Sequence, residues 1–275
     1  MSSKDAPCRM CGAMGRTREH LLPDHWRNEF KTENFYDYES RGPAGLRQRS
    51  RYGTAFDERV WVVCAKCNNG WMQDIDREAK TVIFPLARDR PIALSLEAQT
   101  LLTKWAVKTT LIRTAFDEKQ PGFIAPPGVW SAFYRNRDAF APGTVQLGMV
   151  NKQQWLASNS PLGLAFGANK RSGITGRVGI TGRVNVGSFQ IGHLFIQAAV
   201  YDPEVLPAEA AREVLASVRA AYPGRLIALP AGGKVVPPAP MSHNEARELR
   251  EVPTIVGNAP PLGGHVGPNA FGIIS

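Results

Sequence analysis

The 275-residue sequence has few cysteines, no long apolar segment and no apolar stretch near its start. No apolar run approaches the roughly 20 residues of a membrane-spanning helix, which argues against a membrane protein. The first residues, Met1 to Asp5, lack the apolar core of a signal peptide, so we expect a cytoplasmic protein. The 43% hydrophobic fraction is too high for a mainly disordered chain. These absences leave a globular protein with no membrane partner.

The charge balance is basic, with 33 Lys and Arg against 24 Asp and Glu, a net charge of +9. Such a surface permits a polyanionic partner without requiring one. Residues 1–90 hold 16 basic and 13 acidic residues, a net +3, and the remaining residues hold 17 and 11, a net +6. We therefore expect much of any nucleic-acid affinity to come from the second part of the chain.

The four cysteines form two Cys-x-x-Cys pairs, Cys8 with Cys11 and Cys64 with Cys67. Two thiolates at this spacing can occupy two corners of a tetrahedron, and two such pairs complete a closed four-sulfur zinc site. Disulfides are the alternative, but they belong to oxidising compartments, and the sequence carries no export signal. A redox motif would need only one pair. The pattern predicts a structural zinc ion that ties the chain start to residues 64–67.

The residues beside these pairs resemble the HNH, or ββα-metal, endonuclease superfamily, in its zinc-stapled branch of bacterial and phage proteins. The resemblance rests on Glu19-His20 after the first pair and on Asn68 directly after the second. It implies that Glu19 and Asn68 bind a divalent cation, Mg²⁺ or Mn²⁺, and that His20 activates water. The chemistry is consistent, because hard cations prefer oxygen ligands and a neutral imidazole can accept a proton at neutral pH.

The sequence also departs from the commonest HNH pattern. Many members have His at the place of Asn68 and Asp at the place of Glu19. The usual central Asn before the second pair is missing, and Arg59 stands near its place. Two alternatives therefore stay open: a non-catalytic zinc-bearing nucleic-acid-binding or adaptor protein with a decayed site, and an RNA-directed nuclease. The resemblance to this family is also the sole basis for expecting a role in phage biology or bacterial defence.

Residues 32–58, between the two pairs, are polar, aromatic and glycine-containing, and we interpret them as a loop or irregular insertion. Four arginines on this segment can follow a phosphate backbone, and a solvated loop is an equally good interpretation. These candidate nucleic-acid-binding residues are Arg41, Arg47, Arg49 and Arg51.

Three further polar residues near the motif are interpreted as ordinary surface groups. Asp74 and Asp76 fall on the helix predicted from Asn69 to about Lys80, and we expect both carboxylates to be solvated. His25 falls on a short helix at 24–31 that Asp24 would cap, and we expect it on the helix surface.

The overall pattern predicts an α+β fold, with a small zinc-bound ββα-metal module followed by a larger mixed domain. We divide the chain into a nuclease domain at 1–88, an α+β domain of unknown role at 89–227, and a Pro/Gly-rich linker, short helix and tail at 228–275. The second domain or the tail could bind a protein partner. Ser95 should cap a helix running to Phe116, and its Trp105 to Thr109 stretch resembles one found downstream of the motif in some HNH proteins. A capping box at Ser242-x-x-Glu245 predicts the last helix.

Overall fold

The protein has a mixed α+β fold. A computed structural model describes residues 3–30, 35–42, 45–52, 55–90, 92–117, 128–136, 144–166, 179–202, 208–249 and 271–274. The strands are β1 (Thr17–His20), β2 (Phe35–Gly42), β3 (Gly45–Tyr52), β4 (Arg59–Val63), β5 (Val145–Phe166), β6 (Gly179–Tyr201), β7 (Ile227–Leu229) and β8 (Phe271–Ile274). The helices are α1 (Ala65–Cys67), α2 (Gln73–Ala87), α3 (Leu96–Asp117), α4 (Val129–Arg135) and α5 (Ala208–Ala221). None of the helices in these ranges combines the length and apolarity needed to cross a membrane.

Strands β1 and β4 form a separate antiparallel pair. Val60, Val62 and Val63 are buried on β4. The chain then passes through α1 and a wide turn at Asn68–Met72, in which Gly70 is non-helical, into α2. Helix α2 continues past the predicted end near Lys80, because Ile83 and Leu86 extend its buried face to Ala87.

The segment interpreted as a loop at 32–58 contains a regular hairpin instead. Strands β2 and β3 pair residue by residue, from Phe35 opposite Tyr52 to Gly42 opposite Gly45. The loop interpretation is wrong because it gave too much weight to the charged residues. Aromatic residues such as Phe35, Tyr36 and Tyr38 favour strands, and Gly42 and Gly45 pair where the two strands meet.

The second sheet is built on the long hairpin of β5 and β6. The strand order is β3-β2-β5-β6, with β7 and β8 also paired to β5. Strand β2 joins β5 in parallel through Tyr38 and Ala157, and the other pairings are antiparallel. Strand β5 begins with the apolar segment 145–150, and strand β6 includes the apolar segment 191–196.

Helix α3 connects the two sheets through a continuous apolar core. Its predicted cap is confirmed, since the Ser95 hydroxyl accepts a hydrogen bond from the Ala98 N–H at 3.2 Å. Trp105 stacks on Trp26 with ring centroids 5.6 Å apart and meets Phe189 of β6 edge-on at 6.2 Å. The same buried cluster also includes the cysteines and residues of α2. Apolar contacts thus cross residue 88, and the division into domains there stays a prediction.

The described part of 228–275 lies against the body of the protein. Strand β7 pairs with β5, Val235 bridges to Leu94, and the Gln99 side chain bonds to the Gly233 carbonyl. The segment expected as a linker is therefore held by backbone hydrogen bonds despite its Pro/Gly content. The capping box is confirmed: the Ser242 N–H donates to Glu245 at 2.6 Å, and the Glu245 N–H donates back at 3.2 Å. The expected tail ends in β8, and residues 250–270 lie outside the described part.

Candidate metal centre and functional site

The four cysteine sulfurs converge on one point. All four lie within 4.8 Å of one another, and the Cys11 and Cys64 sulfurs are 3.6 Å apart. A zinc ion with Zn–S bonds of about 2.3 Å requires tetrahedral sulfurs about 3.8 Å apart, whereas a disulfide requires about 2.05 Å. The cysteines are free thiols. The cluster can therefore hold a metal ion such as zinc, and no other group of three or more His, Cys, Asp or Glu side chains in the described residues forms such a cluster.

Backbone hydrogen bonds build this cluster before any metal is considered. The first pair lies on a tight turn in which the Gly12 N–H donates to the Cys8 carbonyl at 2.9 Å. Gly12 has a φ of +76°, a left-handed conformation that glycine adopts without steric cost. The Arg9 N–H donates to the Val62 carbonyl at 3.1 Å, which attaches the first turn to β4. The second pair follows β4 directly, so the two turns meet at the base of the strand pair.

The thiols have unequal acidities. Burial opposes ionisation of Cys8, but the backbone N–H groups of Cys11, Cys64 and Met10 outweigh it and lower the pKa of Cys8 to about 7. Burial raises the pKa of Cys11 and of Cys67 above the ordinary thiol value. Thiolates are the metal ligands, so binding of a cation must displace protons from the cluster. Metal binding should therefore weaken as the pH falls.

His20 is the last residue of β1 and lies opposite Arg59 in the strand pair. The side chain is half-buried, and its Nε2 is buried without a hydrogen bond to any described residue. Burial lowers the pKa of His20, the positive charge of Arg59 lowers it further, and Asp24 opposes the shift. The imidazole is therefore mainly neutral at pH 7, the state in which it can accept a proton. Arg59, near the place of the usual central Asn, is the cross-strand neighbour of this histidine.

Glu19 precedes His20 on β1, and its side chain is buried inside the protein. The residue is 5% exposed, and its Oε1 lies 4.0 Å from the Lys108 ammonium of α3. Burial raises the pKa of Glu19 to about 8, the positive charge of Lys108 opposes this, and the negative charge of Asp76 adds to it. Glu19 is therefore mostly protonated at neutral pH. A protonated carboxyl beside an ammonium is a poor ligand for a divalent cation.

Asn68, the other ligand implied by the resemblance, has different partners. Its side-chain N–H group donates to the Thr17 hydroxyl at 2.9 Å and to the Arg18 carbonyl at 3.3 Å. These bonds attach the second cysteine turn to β1. The structure thus places Glu19 in a buried charge cluster, where it does not fit a catalytic Mg²⁺ or Mn²⁺ ion. The Asn68 bonds involve only its amide N–H group and not the carbonyl oxygen that would bind a cation.

Sequence reasoning missed Asp76 and Lys108. Asp76, expected to be solvated, is 5% exposed and accepts a hydrogen bond from the Lys108 ammonium. The expectation is wrong because Asp76 lies one helical turn from Met72 and from Ala79, on the buried stripe of α2. Lys108 falls on the buried stripe of α3, three residues after Trp105. Helical spacing indicates that both residues face the core, but it does not show that the two side chains meet.

The neighbouring surface residues partly match expectation. Asp74 has a side chain that is 51% exposed and pairs with Arg77, as a solvated helix acid should. His25 is exposed, as predicted. The short helix is a 3₁₀ turn, Asp24–Glu29, and Asp24 does not cap it, since no side-chain cap is present. The Asp24 carboxylate instead accepts a hydrogen bond from Arg27 at 3.0 Å.

The four candidate arginines occupy the β2–β3 hairpin, whose backbone alone is described. Positions 47, 49 and 51 of β3 pair with positions 40, 38 and 36 of β2, while position 41 pairs with 46. Because alternate residues of a strand share a face, positions 47, 49 and 51 lie on one face of the hairpin and position 41 lies on the other. Contact of Arg41, Arg47, Arg49 and Arg51 with nucleic acid stays a prediction.

Comparison with known proteins shows no match. No protein-family model matches the chain, and no curated protein or solved structure is significantly similar to it. The resemblance to HNH proteins therefore rests on the spacing of the cysteine pairs and on Glu19, His20 and Asn68. The geometry of the site is the remaining evidence for function.

Proposed function

We propose that this protein is an HNH-type endonuclease that hydrolyses phosphodiester bonds in DNA, with His20 as the general base. One observation carries the proposal: His20, whose buried Nε2 has no hydrogen-bond partner among the described residues, lies on a strand pair whose base is closed by the cysteine cluster. Helix α2 follows that pair, which gives the order strand, strand, helix that the resemblance implies. A zinc ion bound by the cysteines would be structural, because four sulfurs leave no open coordination position.

The residues suit the proton transfer that hydrolysis requires. Water attacks the phosphorus, a new P–O bond forms, and the bond to the leaving oxygen breaks. The His20 imidazole would take the proton of the attacking water, which a neutral ring can do at pH 7. Arg59, opposite His20, would supply positive charge to the phosphate oxygens as negative charge develops. No step is assigned to a cation on Glu19, because Lys108 already neutralises that region.

The test is cleavage of supercoiled plasmid by zinc-loaded protein, with added Mg²⁺ or Mn²⁺ and with neither. We expect His20→Ala to lower the cleavage rate about 10²–10⁴-fold, the usual contribution of a general base. His25→Ala is the matched control, because His25 is an exposed histidine five residues away, and its rate should stay near wild type. Equal cleavage by wild type and His20→Ala would refute the mechanism. A single-stranded RNA substrate in parallel separates the DNA-directed from the RNA-directed enzyme.

A second candidate function is a non-catalytic zinc-bearing protein that binds nucleic acid or acts as an adaptor. The specific observation in its favour is the Lys108 ammonium between Glu19 and Asp76, which engages the carboxylate that the resemblance assigns to a catalytic cation. Fluorescence anisotropy with labelled DNA and RNA oligonucleotides distinguishes the two functions. Binding without cleavage of either polymer under any metal condition would favour the second candidate.

The hairpin provides a further test of nucleic-acid binding. A triple variant in which Arg47, Arg49 and Arg51 become Gln removes three charges from one face of the hairpin. A matched control removes three exposed charges elsewhere, at Lys152, Lys234 and Arg247. We expect only the hairpin variant to weaken binding, and to reduce the slope of log K against log salt by about 3, one per lost phosphate contact. Equal effects of the two triple variants would exclude the hairpin as the binding surface.

A further inference from the structure

Lys108 is a buried cation that lies between two acidic side chains from different elements. Its side chain is 1% exposed, and it donates a hydrogen bond to Asp76 of α2. Its ammonium nitrogen also lies 4.0 Å from Oε1 of Glu19 on β1. Residues 19, 76 and 108 are far apart in sequence, so only the packing of β1, α2 and α3 brings these charges together. An ammonium in such a place requires a negative partner, because burying an isolated charge is strongly unfavourable.

This arrangement has one feature in common with a cation site. Carboxyl oxygens from two elements, β1 and α2, lie around one buried positive group. A divalent ion would need oxygen ligands at about 2.0–2.6 Å, and it would repel an ammonium that already contacts the same oxygens. His25 also lies near Asp76, and partial desolvation of its ring lowers the pKa of His25, which favours the neutral form. The positive charge at this point therefore comes from Lys108.

We propose that Lys108 is a built-in cation that takes the place of the divalent ion which the HNH resemblance assigns to Glu19. The inference rests on the proposed function in one respect: the HNH resemblance is what assigns a divalent ion to Glu19. Lys108 is a positioning residue, since it touches no reacting atom. By holding Glu19 it fixes β1, in which the next residue is His20. This gives the Trp105 to Thr109 segment a role, because it contains Lys108, which lies against Glu19 on β1, the strand that also carries His20.

The experiment measures Mn²⁺ binding to the zinc-loaded, full-length protein, from the electron paramagnetic resonance signal of free Mn²⁺. Wild type and Glu19→Gln should give the same binding curve, because Glu19 is not a ligand. Lys108→Met should gain one Mn²⁺ per chain, bound about tenfold more tightly than any Mn²⁺ on wild type, because the carboxyl groups of Glu19 and Asp76 lose the ammonium that occupies their site. Adding Glu19→Gln to Lys108→Met should abolish that gain. Lys104→Met, the same change one turn earlier on α3, is the control and should bind like wild type.

Two results would overturn the proposal. One is weaker Mn²⁺ binding by Glu19→Gln than by wild type, which would make Glu19 a metal ligand in the presence of Lys108. The other is a folded Lys108→Met protein that gains no Mn²⁺. If Lys108→Met does not fold, the comparison of wild type with Glu19→Gln still shows whether Glu19 binds Mn²⁺ in the presence of Lys108, because Gln keeps the shape of Glu. Plasmid cleavage is measured separately from Mn²⁺ binding. A protein that does not cleave DNA can still give the expected Mn²⁺ result, and a protein that fails the Mn²⁺ test can still cleave DNA.

Discussion

Replacing Lys108 by Met should destabilise the protein strongly, because it leaves two buried carboxyl groups without their cation. Both Glu19 and Asp76 are 5% exposed, so water cannot replace the lost ammonium without local opening. Breaking a buried ion pair by removing one partner costs about 3–5 kcal/mol. That is a large share of the about 5–15 kcal/mol by which folded proteins are stable. For a chain of this size, the loss corresponds to a fall in Tm of about 6–20 °C.

The second partner supplies the decisive comparison. Asp76→Asn alone leaves the Lys108 ammonium with Glu19 at 4.0 Å as its remaining carboxyl neighbour, so this variant should also lose several kcal/mol. The double variant, Lys108→Met with Asp76→Asn, removes both charges. Because a neutral replacement of a whole buried pair is often nearly neutral in energy, the double variant should cost about 3 kcal/mol less than the sum of the single changes.

The assay is urea unfolding at pH 7 with zinc present, followed by circular dichroism, for the four proteins of this cycle. Lys104→Met provides a control for the loss of a lysine from the same helix and should lie within about 1 kcal/mol of wild type. The reasoning is refuted if Lys108→Met is as stable as the control, or if the two single changes add fully in the double variant. Either result would mean that the Lys108 ammonium and the two acidic side chains do not stabilise one another.

Three further outcomes follow from other parts of the structure. Cys67→Ser should lower the zinc content from one ion per chain and remove the sensitivity of the Tm to chelators, because the cluster loses one of its four sulfurs; unchanged zinc by elemental analysis would contradict this. The folded-state pKa of Glu19, about 8, lies above its ordinary 4.5, so the folded state binds more protons and stability should fall between those pH values, by about 1.4 kcal/mol per unit at most. Glu19→Gln should flatten that slope in unfolding measured from pH 5 to 8, and parallel profiles would exclude Glu19 as its source. Gly192→Ala should cost about 1–3 kcal/mol, since φ is +59° and a Cβ would overlap the Ala87 carbonyl oxygen, whereas Gly233→Ala meets open space and serves as the control.

Local motifs were predictable because their physical causes lie within a few residues. The two cysteine pairs, the Ser95 cap and the Ser242 capping box each follow from spacing and hydrogen-bonding groups alone, and all three are present as expected. Strand β4 likewise agrees with local composition, since Arg59–Val63 holds three valines and a tryptophan. For such features the sequence contains the whole explanation.

The charge cluster was not predictable in the same way. Asp76 looked like a solvated acid, because nothing near it in sequence shows that a lysine 32 residues later lies against it. The hairpin at 35–52 was missed for a different reason, since its charged residues obscured the alternation that strand pairing requires. The partners of Glu19 depend on how α2 and α3 pack, which is a tertiary property. The implied role of Glu19 could therefore be stated from the motif, but its surroundings could not.

The position of α3 limits how far the first 88 residues can be treated as a transferable unit. A fragment ending there would keep all four thiols and His20, yet it would lose Trp105, the stacking partner of Trp26. It would also lose Lys108, the cation that pairs with Asp76 and lies 4.0 Å from Glu19. Grafting this segment onto another protein would therefore require a helix that supplies an indole and an ammonium at the same places.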